Sequence, residues 1–466
     1  MSAKTRFKLR IPGGGALSQR HNSRSPVHRP APHPQAAPPS GGNRTSRASP
    51  PARNTRRPAT PSPEPEQDGD SPPPTSRKRS IDRVLDSLEA IAYRGAKRPR
   101  VDDRKAPLYP YLHGARGSVR SVPYLLFNHV DAIFMQGIHE AGLELEKDAE
   151  ADAEAKEASL DAETRSRLES QRSMAFSGLR DAMPGLLELL TECVPHPPMY
   201  VAFCDMIKTV INEAKNDDTG SLKQEIIKFI LEDPDNEVAP IPNSDIGNKS
   251  KRGFSIDVFA RCLIPRKHFD RMDEDYDACI TSINDGTLKV DNSSLPMLLY
   301  DWSSMDDDDT EAGLFRHNAL VRSWRRIMFG KSNALKTPKS VPAGSNAHIH
   351  NVLQASPASI AYVCCQVRFA MSSVHTWARM DRHFDMKKFY DEIMLLLELD
   401  EDDPDEWVLE TLRWWNTRAF GNPRGLEADD EEELVELGEE AGEIMDARER
   451  RKRARAATRA AGSPEV

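Results

Sequence analysis

From Ile360 to Met371 only Gln366 and Arg368 are strongly polar. A helix apolar nearly all round is one that is buried on most sides. This stretch therefore predicts the central helix of a folded body. Ser356 suits its N-cap, where the hydroxyl accepts from an otherwise unpaired N–H, and Pro357 suits its first position. The run is too short to span a membrane. Arg368 on such a helix needs a carboxylate or several carbonyls beside it. A structural ion pair that fixes the helix is the plain expectation; a perturbed charge at a functional site is the alternative.

Helical spacing recurs along the chain. Val408, Leu412, Trp415 and Ala419 form a stripe that Trp407 and Trp414 widen, with Asp403-Pro404 placed to start the helix and Gly421 to end it. Phe389, Ile393, Leu396 and Leu397 predict a helix within 384–399, and Leu320, Val321, Trp324, Ile327 and Met328 one within 314–329. Further helices are predicted over 124–145, 179–190, 200–214 and 222–231. Ile81, Val84, Leu85, Leu88 and Ile91 predict a short one that Ser80 would cap and Gly95 would end. Strict alternation is scarce. The fold class expected is mainly α: a single irregular helical domain over residues 106–423, in which 146–169, rich in Ala, Glu and Lys, forms a solvated helical spacer.

Composition changes this picture at both ends. Residues 1–75 hold 16 of the 35 prolines with many Ser, Arg and Gly, too little apolar matter for a core, so the arm 1–105 is expected to be disordered apart from its short helix. Residues 425–447 carry eleven Asp/Glu and no Lys/Arg, and 448–459 carry seven Lys/Arg, which makes 424–466 an acidic-then-basic tail. Residues 1–100 balance at +13, from 20 basic and 7 acidic side chains, while the whole chain sums to −9. Two compact basic clusters stand out, Arg77, Lys78, Arg79 and Lys97, Arg98, Arg100. In a disordered setting each resembles a nuclear import signal that a receptor reads as an extended strand; the plainer reading is a solvated, solubilising arm.

Candidate chemistry is thin. The six cysteines include no Cys-x-x-Cys pair, and Cys193, Cys204 and nearby His196 lack metal spacing, so buried reduced thiols are expected. Asp306 to Asp309 lack the alternation of a calcium loop and read as a solvated turn. His348 and His350 would point the same way on a strand, but no third ligand accompanies them. With no apolar signal core and no membrane-length stretch, the expectation is an intracellular protein without a membrane anchor. No catalytic residue, cofactor site or metal site is assigned.

Several blocks in order carry a resemblance: Arg252-Gly253-Phe254, Cys262-Leu263-Ile264-Pro265, Leu298-Leu299-Tyr300, Asn346-Ala347-His348-Ile349-His350, Pro357 to Ala370, and Trp414-Trp415-Asn416 with Phe420-Gly421. Together, over about 124–421, they resemble an uncharacterised domain family expanded in mushroom-forming fungi. The resemblance implies a helical domain and no particular activity. Three functions follow in order. The first is a non-enzymatic nuclear interaction module with a protein partner. The second is a nucleic-acid-associated protein of mobile-element origin that binds through arm or tail, because residues 106–423 carry 34 basic and 51 acidic side chains and would repel phosphate. The third is a metal-dependent hydrolase, for which no spacing selects ligands.

Overall fold

The computed structural model describes residues 74–143, 160–234, 248–337, 340–400 and 403–426. Among the described residues, the first half contains α1 (Pro74–Arg94), α2 (Tyr109–Ser118), α3 (Val130–Glu140), α4 (Ala162–Ala182), α5 (Leu186–Cys193), α6 (Pro197–Lys223) and α7 (Ile226–Ile230). The second half begins with α8 (Asp257–Leu263), α9 (Phe269–Glu274), α10 (Tyr276–Asn284), α11 (Asn318–Phe329) and α12 (Asn346–Ile349). It continues with α13 (Pro357–Met371), the two-residue strands β1 (Met380–Asp381) and β2 (Phe384–Asp385), α14 (Met386–Leu396) and α15 (Glu406–Phe420). The mainly helical fold class is thus observed.

The pattern of Ile360–Met371 has the consequence expected of it. Every residue of α13 after Pro357 is buried. Neighbours surround it: α6, α7, α8, α11 and α14 all pack on it. Its start is a reciprocal cap. The Ser359 N–H donates to Ser356 Oγ, and the Ser356 N–H donates to Ser359 Oγ at 2.9 Å. Trp324 of α11 adds a bond from its indole N–H to the same Ser359 Oγ at 3.1 Å.

The first half is layered on α6, which carries α1 and α2 along its length. Helices α3 and α4 approach closely because α3 has Gly137 at the crossing, where a Cβ would stand 2.3 Å from the Phe176 ring. Val84 and Leu88 of α1 lie in the same core, so the core begins ahead of residue 106. That helix starts at Pro74 rather than after Ser80. Proline is pre-organised for a first turn, and the Arg and Lys that follow are good helix formers. Gly95, at φ +66°, ends it as expected, with the Ala96 N–H returning to the Ala90 carbonyl at 3.0 Å.

Other boundaries moved for identifiable reasons. The helix expected over 124–145 starts only at Val130, because Tyr124 takes φ +58° and gives its N–H to Tyr390 Oη at 3.0 Å. The cap of α15 is Asp405, not Asp403; its carboxylate accepts from the N–H groups of Trp407 and Val408. Asp385 caps α14 in the same way, and the β1–β2 hairpin in front of it was not foreseen. Most of the expected spacer 146–169, the arm before Pro74 and the tail after Leu426 lie outside the described residues. Residues 162–169 of that spacer form the first turns of α4, capped by Asp161.

Candidate functional site

Two kinds of place carry enough charge to do something: polar groups inside the core around α13, and the basic segment after α1.

In the interior, Arg368 is paired with a carboxylate. It is 3% exposed, its Nη1 donates to Asp381 Oδ2 of β1 at 2.8 Å, and its guanidinium lies 3.5 Å from the centre of the Phe384 ring of β2. Burial pulls its pKa down and the Asp381 charge opposes that. The small hairpin is therefore a clamp: one strand brings the carboxylate and the other the ring face.

A second ion pair is buried more deeply. Arg120, just past α2, donates from Nε and Nη2 to both oxygens of Asp218 on α6, at 2.8 and 2.9 Å. Tyr362 of α13 donates its hydroxyl to Asp218 Oδ2 at 2.7 Å. Gln366 donates to Tyr362 Oη at 2.9 Å, and its own carbonyl accepts from Thr219 Oγ1 at 2.8 Å. Burial pushes the Arg120 pKa down, and the charge and hydrogen bonds of Asp218 more than offset it, so the net shift is upward. Three helical segments are joined by one network whose charge is internally balanced.

Other cations cap helix ends. Arg252 donates to the carbonyl of Ala370 on α13 at 2.7 Å and to that of Lys223 at the end of α6. Lys249 lies 3.2 Å from the centre of the Phe369 ring and donates to the Val374 carbonyl. Burial first, then the charges of Lys223 and Arg252, push its ammonium down to about 7. Arg322 gives bonds to the carbonyls of Phe229, Leu231 and Glu232 past α7, and Arg325 to that of Arg418 in α15. Positive groups at carbonyl ends match the helix dipole. They are spent on architecture.

Little nucleophilic or metal chemistry is assembled. All six cysteines are buried and unpaired, and burial pushes the thiols up, Cys193 and Cys204 to about 12, far from thiolate at neutral pH. Among the described residues no group of three or more His, Cys, Asp or Glu side chains could hold a metal ion. Asp306–Asp309 are exposed. His348 and His350 do not share a face as they would on a strand, because the one-turn helix α12 and its end rotate them apart. The His350 ring lies tilted against that of His113 of α2, with centroids 4.8 Å apart, where Gly117 leaves room for it. No helix among the described residues is long and apolar enough to cross a membrane.

At the surface, the two basic clusters part company. Arg77, Lys78 and Arg79 fall in the first turns of α1, so their backbone is helical rather than extended. Lys97, Arg98 and Arg100 follow Gly95 in irregular backbone and are exposed. Arg98 stands 3.8 Å from Asp205 of α6, both about half exposed. Between that segment and α6 runs an open, shallow groove lined by Ile91, Ala92 and Ala96 on one side and Pro197, Pro198 and Val201 on the other. Val201 is 55% exposed. The one trace of the groove in the sequence is Val201, an apolar residue outside the buried stripe of α6.

A family of unknown function (DUF6698) has a model that matches residues 209–420. The match begins inside α6, so it starts later than the 124–421 expected from the sequence blocks. Neither the curated proteins nor the solved structures contain a match to the chain.

Proposed function

We propose that this chain is a non-enzymatic interaction protein that enters the nucleus, with Lys97, Arg98 and Arg100 as its import signal. The observation that carries the reading is the exposure of these three side chains on irregular backbone directly after α1. An import receptor reads such a segment as an extended strand, and Gly95 and Pro99 keep it from continuing the helix. The groove beside it supplies apolar surface for a protein contact. Against that, the interior cations and carboxylates are engaged with one another or with helix ends, which supports a binding role over a catalytic one.

The test is a fluorescent fusion of the chain, whose own mass of 52.2 kDa already makes unassisted passage of a nuclear pore slow. Lys97→Ala, Arg98→Ala and Arg100→Ala together should lower the nuclear-to-cytoplasmic ratio severalfold. Lys78→Ala with Arg79→Ala should lower it less, because a helical segment is a poorer strand-like ligand. Unchanged accumulation in the first variant would move the signal to Arg450–Arg455. A wild-type fusion that stays in the cytoplasm would remove the reading.

A further inference from the structure

The groove between α1 and α6 has an apolar floor and lies beside the basic cluster Lys97, Arg98 and Arg100, and the same chain carries a segment that is apolar on one face and acidic on the other. Leu434, Leu437, Ala441, Ile444 and Met445 fall on one side of a helical projection of residues 432–446, while Glu432, Glu433, Glu436, Glu439, Glu440, Glu443 and Asp446 fall on the other. Gly438 and Gly442 make such a helix weak alone, so it needs a surface on which to form. We propose that residues 432–446 dock in the groove floored by Ile91, Ala92, Pro197 and Val201, with their carboxylates against Lys97, Arg98 and Arg100.

Three observations support this occupant. The first is charge. Arg98 lines the groove, Lys97 and Arg100 flank it in sequence, and Asp205 on the opposite wall stands 3.8 Å from Arg98, longer than a charge-assisted hydrogen bond. Seven acidic side chains and no basic one lie between residues 432 and 446. The second is where the chain leaves the described body. The Leu426 N–H is tied to the Leu353 carbonyl at 2.7 Å, and three residues back the His350 ring packs at a tilt against His113 of α2. Helix α2 lies along α6, with Tyr111 edge-on to Phe203 at 5.8 Å, beside the turn of α6 that floors the groove. The third is chain length. Five residues, 427–431, link Leu426 to the docking segment, enough for about 20 Å when extended.

The inference rests on the import reading in one respect only: a docked acidic segment would cover Lys97–Arg100 and so hold back import. The docking itself is tested without it. All six native cysteines are buried, so thiols introduced at Val201→Cys and Leu437→Cys are the reactive pair in the full chain. Leu335→Cys with Leu437→Cys is the comparison. Leu335 is exposed and lies two residues from Thr337, whose hydroxyl donates to the Arg418 carbonyl at 3.2 Å near the root of the tail, so it reports random encounter. Under a mild oxidant such as copper phenanthroline, the 201–437 disulfide should form about tenfold faster than the 335–437 one, because docking raises the effective concentration. Lys97→Glu, Arg98→Glu and Arg100→Glu together should bring the rate down to the comparison value. Equal rates at 201 and 335 would overturn the proposal, and so would disulfides formed only between chains, which would make a second copy the occupant. If docking holds, Leu434→Asp with Leu437→Asp raises the nuclear fraction of the fusion. A fusion that is cytoplasmic in every variant would end the import reading and leave the disulfide result standing.

Discussion

Consider the replacement of Arg120 by methionine. The long apolar stem is kept, and the two bonds to Asp218 and the one to the Arg116 carbonyl at 3.1 Å are lost. Asp218 is then a carboxylate with side-chain exposure of 6% and one remaining side-chain donor, the Tyr362 hydroxyl. Breaking a buried pair by removing one member costs about 3–5 kcal/mol, because the other charge stays uncompensated. Adding Asp218→Asn removes that charge while its amide oxygen still accepts from Tyr362. The second substitution should therefore recover about 2–3 kcal/mol, the scale of a hydrogen-bonded charge set against a neutral group. The assay is urea unfolding at pH 7 followed by tryptophan fluorescence, with stability compared at a common slope. If Arg120→Met with Asp218→Asn is less stable than Arg120→Met alone, the stranded charge is not what the first substitution costs, and the account of the network is wrong.

Two further outcomes follow from the core. His317, buried with Nδ1 accepting the Ala319 N–H at the start of α11, is pushed down to about 4 by burial, with Asp301 opposing and Arg322 assisting. Its folded pKa lies below the unfolded value of 6.5, so the unfolded chain binds more protons and stability falls as pH drops from 6.5 towards 4, by about 3 kcal/mol for this group. His317→Asn keeps an acceptor that does not titrate, and the difference in urea midpoint between pH 7 and pH 4.5 should shrink; an unchanged difference would deny His317 that role. Trp415, fully buried in α15, should cost about 3–5 kcal/mol as Trp415→Ala, and an unchanged melting temperature would show that its ring is not a core element.

What could be read in advance was what depends on neighbours in sequence. The saturation of α13 with apolar residues announced its burial, and Ser356-Pro357 announced its start. Arg368 announced a need for a partner, but not which one, because Asp381 comes from a hairpin too short to leave a periodic trace. The Arg120–Asp218 pair was missed, although half of it was visible. Val210, Ala214, Asp218 and Leu222 recur every four residues, which places a carboxylate on the buried face of α6. Its partner stands 98 residues earlier, and nothing local links the two. The groove is of the same kind: each wall is an ordinary helix end, and only their meeting makes a surface.

The family match opens at Thr209, in the thirteenth position of the 27-residue helix α6. A gene fragment exchanged at that point would carry Asp218, Thr219, Tyr362 and Gln366 away together and leave Arg120 behind. The recipient would inherit a negative charge in its interior whose counter-charge belongs to sequence the family model does not cover. The set of residues that keeps its buried charges paired is therefore larger than the segment the family model matches.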